Sequence, residues 1–106
     1  MSLPPDVKPY RRTPEFTEAT VPSGLLRAHD TKPGVWGLIH VLEGRLAYRV
    51  TDPRRPSSEA LLTPEGEPGV VEPTIRHAVE PIGAVRFYVE FHRLEHDGIR
   101  LNQPDR

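Results

Sequence analysis

The stretch VWGLIHVLEGRLAYRVT, residues 35–51, decides the fold. In its second half Leu46, Tyr48 and Val50 fall on one face of an extended chain, and the residues between them fall on the other. A period of two residues is typical of a half-buried β-strand, and valine, isoleucine and aromatic residues favour strands. We therefore predict two strong strands in this stretch, joined by a turn at Gly44.

The same alternation returns towards the C-terminus, where Val85, Phe87, Val89 and Phe91 share one face. Shorter candidate strands lie between turn signals, at residues 25–31, 60–63, 70–72 and 75–79. About seven or eight short strands at this spacing are typical of a sandwich or a barrel.

Thirteen prolines and eight glycines stand among the 106 residues. Proline removes a backbone donor and breaks helix interiors, so prolines spread this evenly leave no room for long helices. The composition therefore indicates an all-β protein. Residues 1–15 carry four of the prolines and predict an extended N-terminal arm, and residues 16–106 predict a single domain.

The charges are balanced, with 14 Lys and Arg against 15 Asp and Glu and a formal net charge of −1. This balance argues against nucleic acid or an anionic membrane as a partner. The absence of cysteine excludes disulfides and thiolate chemistry. No apolar run approaches the roughly 20 residues of a membrane span, and the N-terminus lacks the pattern of a signal peptide. We expect a cytoplasmic protein.

A set of short motifs between residues 13 and 93 resembles the TehB/YeaR-like family, small cupin-fold proteins named from a tellurite-resistance context. The matching residues are TPEF (13–16), TVPSGLL (20–26), HDTKPGVWG (29–37), VLEG (41–44), VEP (71–73), His77 and RFYVEF (86–91). The resemblance implies a cupin-like double-stranded β-helix, which is a small β-barrel or jelly roll, with no settled biochemical activity. In some relatives a similar domain precedes a methyltransferase domain.

A general cupin holds a divalent metal through an HxH pair, a glutamate and a third histidine. Here the third histidine is retained as His77, but Asp30 and Lys32 stand where the HxH pair would fall, and His29 lies one residue away. The usual four-ligand site is therefore not present. The resemblance still implies that His29 and His77 are inner groups that bind a single divalent ion of Zn, Ni, Fe or Mn. The alternative is that His77 is a hydrogen-bonded core histidine.

Three further residues are candidates for ligand binding, each with a plainer alternative. Lys32 could receive an anionic ligand or be a solvated turn residue. Trp36, the only tryptophan, could form a pocket wall, anchor a subunit interface or pack in the core. Glu90 could be a third ligand, or it could pair with an arginine on an outward or subunit-facing sheet.

Our leading hypothesis is that the barrel binds a small polar or anionic molecule through these residues and the metal. The second is a metal-dependent enzyme, such as an oxygenase, an isomerase or a detoxification activity. The third is a non-catalytic interaction module that forms a homodimer, since cupins commonly pair. No phosphate-binding glycine loop, serine nucleophile motif or HExxH helix is present.

Overall fold

The computed structural model describes residues 2–27 and 29–94, and this part of the chain is all-β apart from one short 3₁₀ helix. The strands are β1 (Val7–Arg12), β2 (Phe16–Thr17), β3 (Trp36–Val50), β4 (Ser58–Leu62), β5 (Gly69–Val71) and β6 (His77–Leu94), and the 3₁₀ helix is Ser23–Leu26. The prediction of an all-β protein is confirmed. No helix in the described ranges is both long and apolar enough to cross a membrane.

The six strands form one open antiparallel sheet in the order β1-β6-β3-β4. The short strand β2 pairs with β6, and β5 pairs with β3. The two longest strands, β3 and β6, pair from Trp36 opposite His92 to Val50 opposite His77. The predicted N-terminal arm contributes β1, which lies against the C-terminal half of β6.

The turn predicted at Gly44 is wrong, because β3 continues through this residue. Gly44 has a φ of +82°, which glycine adopts without the steric cost that a side chain adds. The pairing with β6 shifts register on both sides of it. Such irregularities bend a strand without ending it. In the same way β6 runs through Gly83, where the sequence predicted a strand end.

The strand predicted at residues 25–31 is also wrong. The 3₁₀ helix occupies the first part of this stretch, and Leu25 N donates to Pro22 O at 3.0 Å. Proline and glycine so close together favour a turn over an extended chain. Among the described residues of this stretch, His29 alone is paired as in a strand, through a single bridge to His77.

The core lies on one face of the sheet, where the alternating residues of β3 and β6 meet. Phe87 and Leu46 are fully buried there, and the ring of Phe16 packs edge-on against Phe87 with centroids 5.7 Å apart. The remaining buried members are aliphatic apart from Tyr48, namely Ile39, Val41, Tyr48, Leu62, Val71, Val79, Val85 and Val89. The alternation in the sequence identified this face correctly.

Candidate functional site

The candidate site is built on the bridge between His29 and His77. Each histidine donates its backbone N–H to the carbonyl of the other, and both N···O distances are 2.8 Å. The two imidazole rings lie edge to face, with centroids 5.5 Å apart and an interplanar angle of 87°. The bridge therefore joins the chain after the 3₁₀ helix to the first residue of β6, and it places both side chains on the inner side of the sheet.

These two rings line a cavity of about 220 Å³ inside the fold. Most of its wall is apolar and is made by Phe16, Pro22, Leu25, Ile39, Val71, Val79, Phe87, Val89 and Phe91. The polar residues on the wall are Thr13, Thr31 and the two histidines. No described residue on the wall carries a permanent charge. The cavity therefore suits an uncharged, mostly apolar group.

His77 presents a defined hydrogen-bonding group to this cavity. Its ring is buried, and Nδ1 lies 3.1 Å from the carbonyl oxygen of Ile75. A carbonyl oxygen only accepts, so Nδ1 carries the proton and donates, which leaves Nε2 of the neutral ring as an acceptor. Burial lowers the pKa of His77 and the nearby His29 lowers it further, so the ring is neutral at pH 7.

A second cavity of about 240 Å³, which we call the vestibule, adjoins the first. The two share His29, Thr31 and Phe91. The other residues of the vestibule are mostly polar, namely Tyr10, Arg11, Asp30, Lys32 and Val35. His29, Thr31 and Phe91 thus stand between the apolar cavity and charged surroundings.

The structure divides the residues predicted as a site into two groups. His29 and His77 line the apolar cavity, and Lys32 lines the vestibule. Trp36 and Glu90 line neither, because they lie on the opposite face of β3 and β6 from the core residues. Successive side chains of a strand point to opposite faces, so these two cannot reach the same pocket.

On that outer face Glu90 has histidine partners, where the sequence suggested an arginine. Its Oε1 accepts from His92 Nε2 at 2.9 Å and lies 3.5 Å from His40 Nε2. His40 in turn stacks on Tyr88 with ring centroids 4.9 Å apart, and the guanidinium of Arg12 lies 4.0 Å from the Tyr88 ring centre. This group is a packed polar cluster on the sheet surface.

Several residues of the site were not predicted from the sequence. Phe16 and Leu25 come from segments that precede the main strands, and Arg11 belongs to an arginine pair that is typical of solvated surface. Phe91 was visible only as a strand residue. The sequence shows that these residues are apolar or basic. No spacing in the chain connects them to His29, because the contacts arise from the tertiary fold.

A family model, the TehB-like domain, matches residues 11–89 of the chain. Two curated proteins of Haemophilus influenzae, from strains Rd and 10810, are 35% and 34% identical to the chain over 74 residues. Both are named "Probable S-adenosyl-L-methionine-dependent methyltransferase TehB". The match covers 69% of this chain but 26% of each relative, so the chain spans about a quarter of their length.

Two solved structures resemble the fold over most of the chain. TehB from Haemophilus influenzae is 27% identical with a TM-score of 0.79, and the match covers 88% of this chain and 33% of that one. A protein from Escherichia coli strain K12 is 24% identical with a TM-score of 0.75, covering 87% of this chain and 95% of that one. The second likeness shows the fold alone.

The expected divalent metal ion, Zn, Ni, Fe or Mn, is wrong as the cofactor of this protein. The names of the curated relatives specify S-adenosyl-L-methionine instead of a metal. The donor set agrees, since the described residues contain no group of three histidine, aspartate or glutamate side chains that could hold an ion. His29 and His77 share a cavity whose described wall contributes no carboxylate as a third ligand.

The family model matches more than half of the chain, and the curated relatives and the TehB structure agree with it over the same strands. The chain belongs to the TehB-like family.

Proposed function

We propose that this domain is a binding module for a small, mostly apolar molecule, which enters the cavity and donates one hydrogen bond to His77 Nε2. The observation that carries the proposal is the cavity itself, about 220 Å³ of apolar wall with a neutral imidazole on one side. An apolar cavity of about 150 Å³ accommodates benzene. This cavity therefore has room for one ring or a branched chain of similar size.

S-adenosyl-L-methionine, which the relatives' names specify, does not fit this cavity. It is a drug-sized molecule, and pockets for such ligands measure roughly 300–1,000 Å³. It also carries ammonium and sulfonium charges, whereas the described wall holds no carboxylate. We infer that any methyl transfer belongs to the part of the longer relatives that this chain does not match.

The tellurite-resistance context does not make tellurite itself the ligand. Tellurite is an oxyanion, and an anion in an apolar cavity loses its hydration without gaining a cation in return. Because the described wall carries no lysine or arginine, we propose that the group seated in the cavity is organic and uncharged, unlike the polar or anionic group that the sequence led us to expect there.

We retain the cupin-like double-stranded β-helix as our proposal for the finer fold. It is supported by the long strands β3 and β6, which pair along their whole length while β5 and β4 join successive halves of β3. A crystal structure in which the two halves of β6, before and after Gly83, do not both line the cavity would overturn it.

Binding is tested with phenol and toluene, two probes of similar size of which only phenol has a donor. Titration followed by NMR should show both binding, with phenol about two- to tenfold tighter, as one net hydrogen bond provides. His77→Phe should remove the preference for phenol. His40→Phe, which changes a histidine on the outer face, should leave it intact. If neither probe perturbs residues of the cavity in the wild-type protein, the proposed function is wrong.

A second candidate function is the homodimeric interaction module. It is favoured by the outer face of β3 and β6, where Trp36, Leu38, Leu42 and Tyr88 are only half-buried and so leave apolar surface for a partner. A second copy of the chain would cover this surface. Sedimentation equilibrium tests it, and a strictly monomeric protein at all concentrations would remove this candidate.

A further inference from the structure

The vestibule is a charged space next to the apolar cavity. Arg11, from β1, and Lys32, from the turn after His29, both line it, and Asp30 is its acidic residue. Two cations and one anion leave one net positive charge beside the apolar cavity. Since His29 lines both spaces, a molecule seated beside it can touch the two environments at once.

Within residues 2–27 and 29–94, no carboxylate lies within ion-pair distance of Arg11 or Lys32. Five of the nine other arginines in these ranges are in ion pairs, as Arg49 is with Glu59 and Glu80, whereas Arg27, Arg45, Arg76 and Arg93 are not. Arg11 and Lys32 are exposed, so each keeps its charge available to an incoming anion. Two exposed cations that line one space, without an ion-pair partner among the described residues, suit it to a negative group.

We propose that the ligand is an amphipathic monoanion: a compact ring or branched chain in the apolar cavity, bearing one carboxylate that lies in the vestibule between Arg11 and Lys32. This inference rests on the proposed function and adds the class of the ligand. A cavity of about 220 Å³ limits the apolar part to about one ring, which excludes a long acyl chain. The single net positive charge matches a carboxylate better than a dianion.

The test compares 4-hydroxyphenylacetate with its neutral isostere 4-hydroxyphenylacetamide, by calorimetry on the whole chain. Both probes have the hydroxyl that can reach His77, and they differ only in charge. We expect the carboxylate to bind more tightly than the amide. Arg11→Gln and Lys32→Gln should each weaken the binding of the carboxylate about two- to fivefold, which is the contribution of an exposed ion pair. Neither change should alter the affinity for the amide.

Of two further variants, one should strengthen binding of the acid and the other is the control. Asp30→Asn removes the repelling carboxylate and should strengthen binding of the acid by a similar factor, without affecting the amide. Lys8→Gln removes an exposed cation of β1 that does not line the vestibule, and it should change the affinity for neither probe. A higher salt concentration should weaken binding of the acid and leave binding of the amide unchanged.

The outcomes separate the two proposals. If the amide binds in the cavity but the acid is no tighter, or if Lys8→Gln acts like Lys32→Gln, the monoanion inference is overturned and the cavity proposal stands. If neither probe binds, the proposed function fails, and this inference fails with it.

Discussion

His29 and His77, which lie 48 positions apart in the chain, exchange both of their backbone hydrogen bonds and place their rings edge to face at 5.5 Å. The pairing fixes the segment after the 3₁₀ helix against the start of β6. It also turns two otherwise unrelated histidines into one wall of a cavity. The ring of Tyr48 packs edge-on against that of His77, with centroids 5.7 Å apart, although Tyr48 does not line this cavity.

Acid should destabilise the fold through His77. Its pKa is lowered from 6.5 by burial and by the neighbouring His29, against the opposing effects of the Ile75 carbonyl and Asp30. The unfolded chain therefore takes up a proton at a higher pH than the folded chain does. Stability is then greatest above about pH 6.5 and decreases as the pH falls through 6.5 towards the lowered value.

Urea unfolding of the wild type and His77→Gln across this range measures the effect. The wild type should lose stability faster than the variant as the pH falls. Two curves of equal slope would show that His77 is not protected from protonation in the folded state.

Asp52 should be the most acid-sensitive anchor of the loop after β3. Its carboxylate is buried and accepts from Arg54 N at 2.8 Å, from the Arg54 guanidinium at 2.9 and 2.7 Å, and from Arg76 N at 3.0 Å. The hydrogen bonds from the Arg54 side chain, followed by those from the two backbone N–H groups, lower the pKa of Asp52 well below 3.8. The stability that the Asp52 carboxylate contributes is complete above pH 3.8, and it is lost as the pH falls through the lowered pKa of the folded state.

Asp52→Asn should therefore lower the urea midpoint at pH 7, and the difference from the wild type should narrow below pH 3.8. Glu59→Gln is the control, because Glu59 is an exposed partner of Arg49 whose loss should have little effect. A midpoint for Asp52→Asn no lower than that of Glu59→Gln would contradict the assignment of Asp52 as an anchor.

Gly44 should tolerate substitution much less well than Gly83. Both have positive φ, +82° and +76°, which costs a residue with a side chain about 1–2 kcal/mol. A Cβ on Gly44 would also overlap the carbonyl oxygen of Ala84 and lie 2.9 Å from Val85 Cα, whereas a Cβ on Gly83 meets nothing within 4 Å. The added overlap raises the expected cost of Gly44→Ala to about 2–5 kcal/mol.

Thermal and urea unfolding of the two alanine variants give these costs directly. Gly83→Ala serves as the control for the backbone term alone. Equal destabilisation of both variants would mean that the close approach of β3 to the residues around Ala84 is relieved at little cost.

The fold class was predictable because its causes are local. Proline spacing excluded long helices, and the alternation of Leu46 and Tyr48, and later of Phe87 and Val89, identified the buried face. Strand ends were predicted less well. Gly44 and Gly83 look like turn residues in the sequence, but each lies within a strand that bends, since paired neighbours on both sides hold the chain extended.

The site was predictable only in part. His29 and His77 were singled out and do share a cavity, and Lys32 lies in the adjoining vestibule. Trp36 and Glu90 belong to the outer face, although both lie within the motifs that resemble the family. Their alternation with the core residues carried this information, since a residue one position from a buried neighbour points the other way.

By itself the sequence determined the all-β class, the buried faces of the two long strands and the membership of a family, because alternation, proline spacing and motifs are properties of neighbouring residues. Only the tertiary structure decided that His29 bridges to His77 and that β1 brings Arg11 towards Lys32. It also decided that an apolar cavity and a charged vestibule lie side by side at His29. The physical reason is that a cavity is formed by side chains from distant segments, whose approach depends on the pairing and curvature of the whole sheet.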